Sequence, residues 1–164
     1  PLVPTSIVRH INGAREYFEK TGQRIHEALL AWEIAEGKRI VYQNEHFIAF
    51  CPYVSRSVYE MKIFPKRASA NFGDISDVEI PFLANVLNVV LKKLSIALSN
   101  IDYAFFIHTT PPKKEGAPEY DFYQWHLEIM PRLSVDAGLE LETNVLVNTV
   151  DPDEAAELLK KTNV

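Results

Sequence analysis

Between Arg39 and Phe64 three segments rich in β-branched and aromatic residues, 39–44, 46–51 and 58–64, follow one another with little chain between them. Short connections join antiparallel strands, whereas a parallel pair needs a crossover of about a dozen residues or more. Asn44 and Glu45 suit a tight turn, and Pro65 stops the third strand. The chain therefore has to contain an antiparallel meander.

Helical patterns flank it. Residues 1–9 read as extended, since Pro1 and Pro4 oppose helix. A helix is expected from about Asn12, with Ala14, Tyr17 and Phe18 on one face, interrupted at Gly22. A second one places Ile25, Leu29 and Trp32 on one side and stops at Gly37. Ser76 and Glu79 have capping-box spacing before a long apolar stripe of Ile80, Leu83, Leu87, Val90, Leu91, Leu94 and Leu98. Tyr103–Thr109 reads as a strand buried on most sides, and 110–119, with its prolines and lysines, as an exposed mobile loop. Residues 122–132 alternate as a strand, and 145–150 read as a last short strand. Asp151-Pro152 starts a final helix that runs to Lys160-Lys161. The expected class is α+β, one mainly antiparallel sheet with helices segregated on one face, in a single domain over 1–164.

The formal net charge of -5 argues against nucleic acid and against an anionic membrane surface, both of which want a basic face. A basic pocket for a small anion remains compatible with it. Cys51 is the only cysteine, which excludes an internal disulfide and a thiolate-rich zinc site and fits a reducing cytoplasm. No apolar run reads as a membrane span. The start at Pro1, without methionine, reads as a chain entered in its middle.

Period-two alternation puts Tyr123, Trp125, Leu127 and Ile129 on one face of their strand and Gln124, His126, Glu128 and Met130 on the other. If that strand pairs with Tyr103–Thr109 as a hairpin, His108 joins His126 and Glu128. Imidazole and carboxylate together suit zinc or iron, an acid/base pair, or a solvated polar face. His10 and His26 read as isolated, solvated or satisfied, and His46 as a strand-edge residue. Lys66-Arg67 and Lys113-Lys114 lie on loops where they could neutralise phosphate; Lys92-Lys93 and Lys160-Lys161 read as solvated helix faces. Glu140, Glu142, Asn144 and Asn148 form a polar group suited to sugar hydroxyls or to an exposed edge. No glycine-rich phosphate loop, nucleophile elbow or carboxylate dyad is present.

The segments 44–53, 63–67, 107–112, 123–133, 137–141 and 151–156 together resemble the C-terminal half of galactose-1-phosphate uridylyltransferases, of the histidine-triad superfamily. The resemblance implies a histidine-triad-like α+β unit. It implies a nucleotidyltransferase moving UMP from UDP-glucose to galactose 1-phosphate, in which the nucleophile belongs to a His-Pro-His motif of the N-terminal half. No His-Pro-His occurs here, and Glu128 stands where that half keeps its nucleophilic histidine. A metal site is implied at His10, His108, His126 and Glu128. His108 and His126 match in type, whereas the family's acidic residue stands as His10 and a family histidine as Glu128. A second zinc site of some members is implied lost, because Arg24 and Glu27 replace its cysteines and Ala68 its histidine. Glu140 matches a glutamate that reaches the hexose in the partner subunit, which implies a homodimer. Beside this stands the alternative of a stand-alone nucleotide or sugar-phosphate binding or dimerisation module without catalysis.

Overall fold

The computed structural model describes residues 5–111, 120–133, 137–143 and 145–164. In chain order these form α1 (Thr5–Thr21), α2 (Ile25–Glu36), β1 (Ile40–Gln43), β2 (Phe47–Phe50), β3 (Met61–Pro65), a 3-10 turn (Phe72–Asp74), α3 (Glu79–Ala97), β4 (Tyr103–His108), β5 (His126–Pro131), α4 (Gly138–Thr143) and α5 (Pro152–Lys161). The strands make one five-stranded sheet in the order β1-β2-β3-β5-β4, antiparallel at each pairing. The expected meander is β1-β2-β3. Its first turn is closed by Asn44, whose Oδ1 accepts from the backbone N–H groups of His46 and Phe47.

Alternation sorts the sheet into two faces. Phe47, Ala49, Met61, Ile63, Trp125, Leu127 and Ile129 point to the side covered by α3 and α5, which contribute Val86, Val90, Leu94, Ala155, Ala156 and Leu159. On the other face Ile48, Phe50 and Phe64 pack against Leu30 of α2. The placement of helices on one face, as expected from sequence, describes α3 and α5 only; α1 and α2 lie across the sheet from them. The Ser76–Glu79 capping box forms: Ser76 N–H donates to Glu79 Oε2 at 2.9 Å, and Glu79 N–H to Ser76 Oγ at 3.3 Å. By length and composition α3 is apolar enough to cross a membrane, contrary to the sequence expectation. Its Val86–Val90–Leu94 stripe nevertheless packs on the sheet.

Several expectations are corrected. Chain expected to be extended to residue 9 is helical from Thr5, because both opening prolines precede that residue. The inward stripe of α2 is His26, Leu30 and Glu33, whereas Trp32 is 42% exposed and Ile34 53%. Arg39 explains this inversion: it is buried beside Glu33 at 2.8 Å, reaches Asp153 at 2.6 Å, and lies over the Trp32 ring. The stripe expected on α3 packs on the core from Leu83 to Leu98, and only Ile80, 48% exposed, departs from it. β4 is an edge strand with Phe105 51% exposed, not a buried one, because β5 covers only one of its sides. Residues 145–149 form no strand and pair with none of the described strands, and the short α4 precedes them. The loop expected over 110–119 lies largely outside the described residues.

Candidate metal and ligand site

The hairpin register sets the site. β4 and β5 pair so that His108 lies directly opposite His126, and Phe106 opposite Glu128. β3 places Lys62 opposite Glu128 from the other side. Residues opposite one another share a face, so His108, His126, Glu128 and Lys62 all point toward α1 and α2. The His108 and His126 rings stack at 4.5 Å between centroids, 19° from parallel. One ligand atom from each of His108, His126 and Glu128 lies within 4.8 Å of the others.

The carboxylate is the best-anchored member. His108 Nε2 lies 3.1 Å from Glu128 Oε2, Lys62 Nζ is 3.7 Å from the same oxygen, and Arg56 donates to Oε1. Burial pushes the Glu128 carboxyl up. The His108 hydrogen bond, Lys62 and Arg56 outweigh burial and hold it at about 2. Arg56 stands on the loop after β2, and its own N–H donates to Glu60, which is buried next to Lys62. Burial raises the Glu60 carboxyl.

His126 is nearly inaccessible, and its Nδ1 lies 3.4 Å from the Gln124 carbonyl. That contact assigns Nδ1 as the N–H and leaves Nε2 with its lone pair. Burial, followed by His26, His108 and Lys62, holds the His126 pKa far below the ordinary histidine value. It is a neutral imidazole, the form that ligates metals.

α1 and α2 close the site. His10 is on α1, with its ring 5.5 Å from that of His108. His26, in the first turn of α2, lies 5.4 Å from the His126 ring and edge-on to Tyr123 at 4.9 Å. A cavity of about 450 Å³ opens between these helices and the sheet, lined by His10, His26, Arg56, Lys62, Tyr123, His126 and Glu128 among others. Tyr123 faces this side rather than sharing a face with Trp125, because regular alternation begins only at His126.

Of the residues expected at a metal site, the structure converges His108, His126 and Glu128 and sets His10 beside them on a helix. Glu140 does not line this cavity; on α4 its Oε2 accepts from the Ala137 N–H at 3.1 Å. Sequence reasoning missed His26, Arg56 and Lys62. The signal for His26 was present: it falls three and four positions before Leu29 and Leu30, on the helix face that packs on the sheet. Lys66 donates to the Asn44 carbonyl and Arg67 pairs with Glu79. Where the resemblance implies a lost zinc site, Arg24 pairs with Glu27 at 2.8 Å and donates to the Asp121 carbonyl.

No family model matches the chain. The galactose-1-phosphate uridylyltransferase of Thermotoga maritima is 31% identical over 172 residues, which take in the whole chain and 52% of that enzyme. An ADP-glucose phosphorylase of Arabidopsis thaliana is 27% identical over the whole chain and 45% of its own length. The chain thus spans about half the length of these relatives. A solved uridylyltransferase superposes with a TM-score of 0.88 at 27% identity over 99% of the chain and 52% of its own. A histidine triad protein from Sulfolobus tokodaii, at 15% identity and a TM-score of 0.55, shares the fold alone. Along its whole length the chain is similar to about half of a galactose-1-phosphate uridylyltransferase, and it has the fold of the histidine-triad proteins.

Proposed function

We propose that the chain is the C-terminal, non-nucleophilic half of a hexose-1-phosphate uridylyltransferase that moves UMP from UDP-glucose to galactose 1-phosphate. The observation that carries this reading is the superposition of the entire chain on about half of a uridylyltransferase. Glu128 supports it: both its oxygens are engaged by His108, Lys62 and Arg56, so the group is a fixed carboxylate rather than a free nucleophile. On this reading His10, His108, His126 and Glu128 hold zinc or iron, which suits a mixed imidazole and carboxylate set. When bound, the ion supplies a cross-link between α1 and the β4–β5 hairpin.

Two surfaces support the expected partners. The outer edge of β4 has no strand beside it among the described residues, and its exposed Tyr103 and Phe105 suit contact with the N-terminal catalytic half. Leu139, Leu141, Val145 and Leu146 are each more than half exposed around Glu140, as suits an arm buried against a second subunit. Glu140 would then contact the hexose of the partner's site, and the protein would work in the cytoplasm on UDP-sugar and sugar 1-phosphate.

The test is incubation with UDP-glucose followed by intact-mass analysis. The isolated chain should gain no UMP, whereas a polypeptide joining it to a His-Pro-His half should form the adduct and pass it to galactose 1-phosphate. A UMP adduct on the isolated chain would overturn the assignment. Running the assay with ADP-glucose separates a uridylyl donor from the adenylyl donor for which the Arabidopsis relative is named.

A further inference from the structure

The site holds more imidazole than the proposed metal set uses. His10, His108, His126 and His26 form one row, with successive ring centroids 5.5, 4.5 and 5.4 Å apart. His46 is the one histidine of the chain outside it. His26 ends the row on α2, lines the same cavity as Glu128, and has a buried Nδ1 with no hydrogen-bond partner. Its other ring neighbours are Phe64 at 5.8 Å and Tyr123 at 4.9 Å. Buried polar nitrogens are normally paired. His26 adjoins, without belonging to, the His108, His126 and Glu128 group whose ligand atoms lie within 4.8 Å of one another, and its orphaned nitrogen is suited to a bond that the protein atoms alone do not supply.

We propose that His26 joins His10, His108, His126 and Glu128 as a further ligand of the divalent transition metal, so that the ion ties α2 as well as α1 to the sheet. This rests on the metal reading above. The donor set is then rich in neutral nitrogen, which selects zinc, iron or cobalt over magnesium and calcium, whose sites are built from oxygen. The arrangement also gives the inward polar face of α2 a purpose. His26 sits one turn before Leu30 on the stripe that meets the sheet, so closing the Leu30 contact with Ile48 and Phe64 delivers the imidazole to the cluster.

The experiment uses the unmutated protein, purified with chelator and labelled with 15N in its histidines. Zinc is added while the imidazole nitrogens are followed by NMR. His108, His126 and His26 should all move to the shifts of coordinated nitrogen at one equivalent. If His108 and His126 move and His26 does not, this inference fails while the metal reading stands; if none moves, the metal reading itself fails. A second arm titrates cobalt(II). His26→Ala should lower its affinity at least about tenfold, since even groups behind the ligands cost that much, and added imidazole should restore part of the visible absorption. Wild-type affinity and spectrum in His26→Ala would contradict the proposal.

Discussion

His108 Nε2 and Glu128 Oε2 are 3.1 Å apart, brought together by a register in which His108 faces His126 and Glu128 lies two residues along the same strand face. That is close to the separation of two atoms that each bind one zinc ion at about 2.0–2.2 Å. In the absence of metal the same contact is a hydrogen bond supported by Lys62 and Arg56. On the proposed metal reading one geometry would therefore serve the metal-free and the metal-bound protein.

Glu128→Gln tests this dual use. Glutamine keeps the shape and can still accept from His108, but removes the charge facing Lys62 and Arg56. The expected cost to the metal-free fold is about 1–3 kcal/mol, read from chemical denaturation. Zinc affinity should fall at least about tenfold. Unchanged affinity would take Glu128 out of the ligand set.

Acid should destabilise the metal-free protein through its buried imidazoles. Burial, then Lys62, His108 and His10, hold the His26 pKa at about 4, below its ordinary 6.5. Between those values the unfolded chain binds a proton that the folded chain refuses, so stability is full above about pH 6.5 and declines as pH falls toward 4. His10 and His126 shift in the same direction, burial again first. The denaturation midpoint should therefore drop between pH 7.5 and 5, and drop less in His26→Gln. Equal slopes in both proteins would show that His26 does not carry the effect.

Lys93→Met tests an anchor outside the site. Lys93, expected on a solvated helix face, is only 8% exposed; its ammonium donates to the carbonyls of Leu159, Lys160 and Thr162 at the end of α5. Helix C-termini leave carbonyls unpaired and attract cations. Methionine fills the space but leaves those groups unmet, with an expected loss of about 1–3 kcal/mol and fraying of α5 in hydrogen exchange. Wild-type stability would show that water serves those carbonyls as well.

The meander, the α3 cap and the shared face of His126 and Glu128 were legible because each rests on spacing within a few residues. The hairpin that adds His108 was legible as a condition, since its two strands flank one loop. What could not be read depends on contacts between distant segments. Glu33 looks like the solvent side of α2 until Arg39 buries it, and once that face turns inward His26 turns inward with it. β4 looks like a core strand by composition, yet its place at the sheet edge is decided by which strand β5 leaves unpaired. The run 145–150 is rich in β-branched residues like a strand, yet no described strand pairs with it to complete its hydrogen bonds.

Metal content of protein purified without chelator, with its thermal midpoint before and after chelation, decides whether this face of the sheet is a metal centre. Close to one zinc or iron per chain is predicted, with a midpoint that falls on chelation and recovers when zinc is returned. Protein without bound metal, and a midpoint that neither chelator nor added zinc changes, would contradict it.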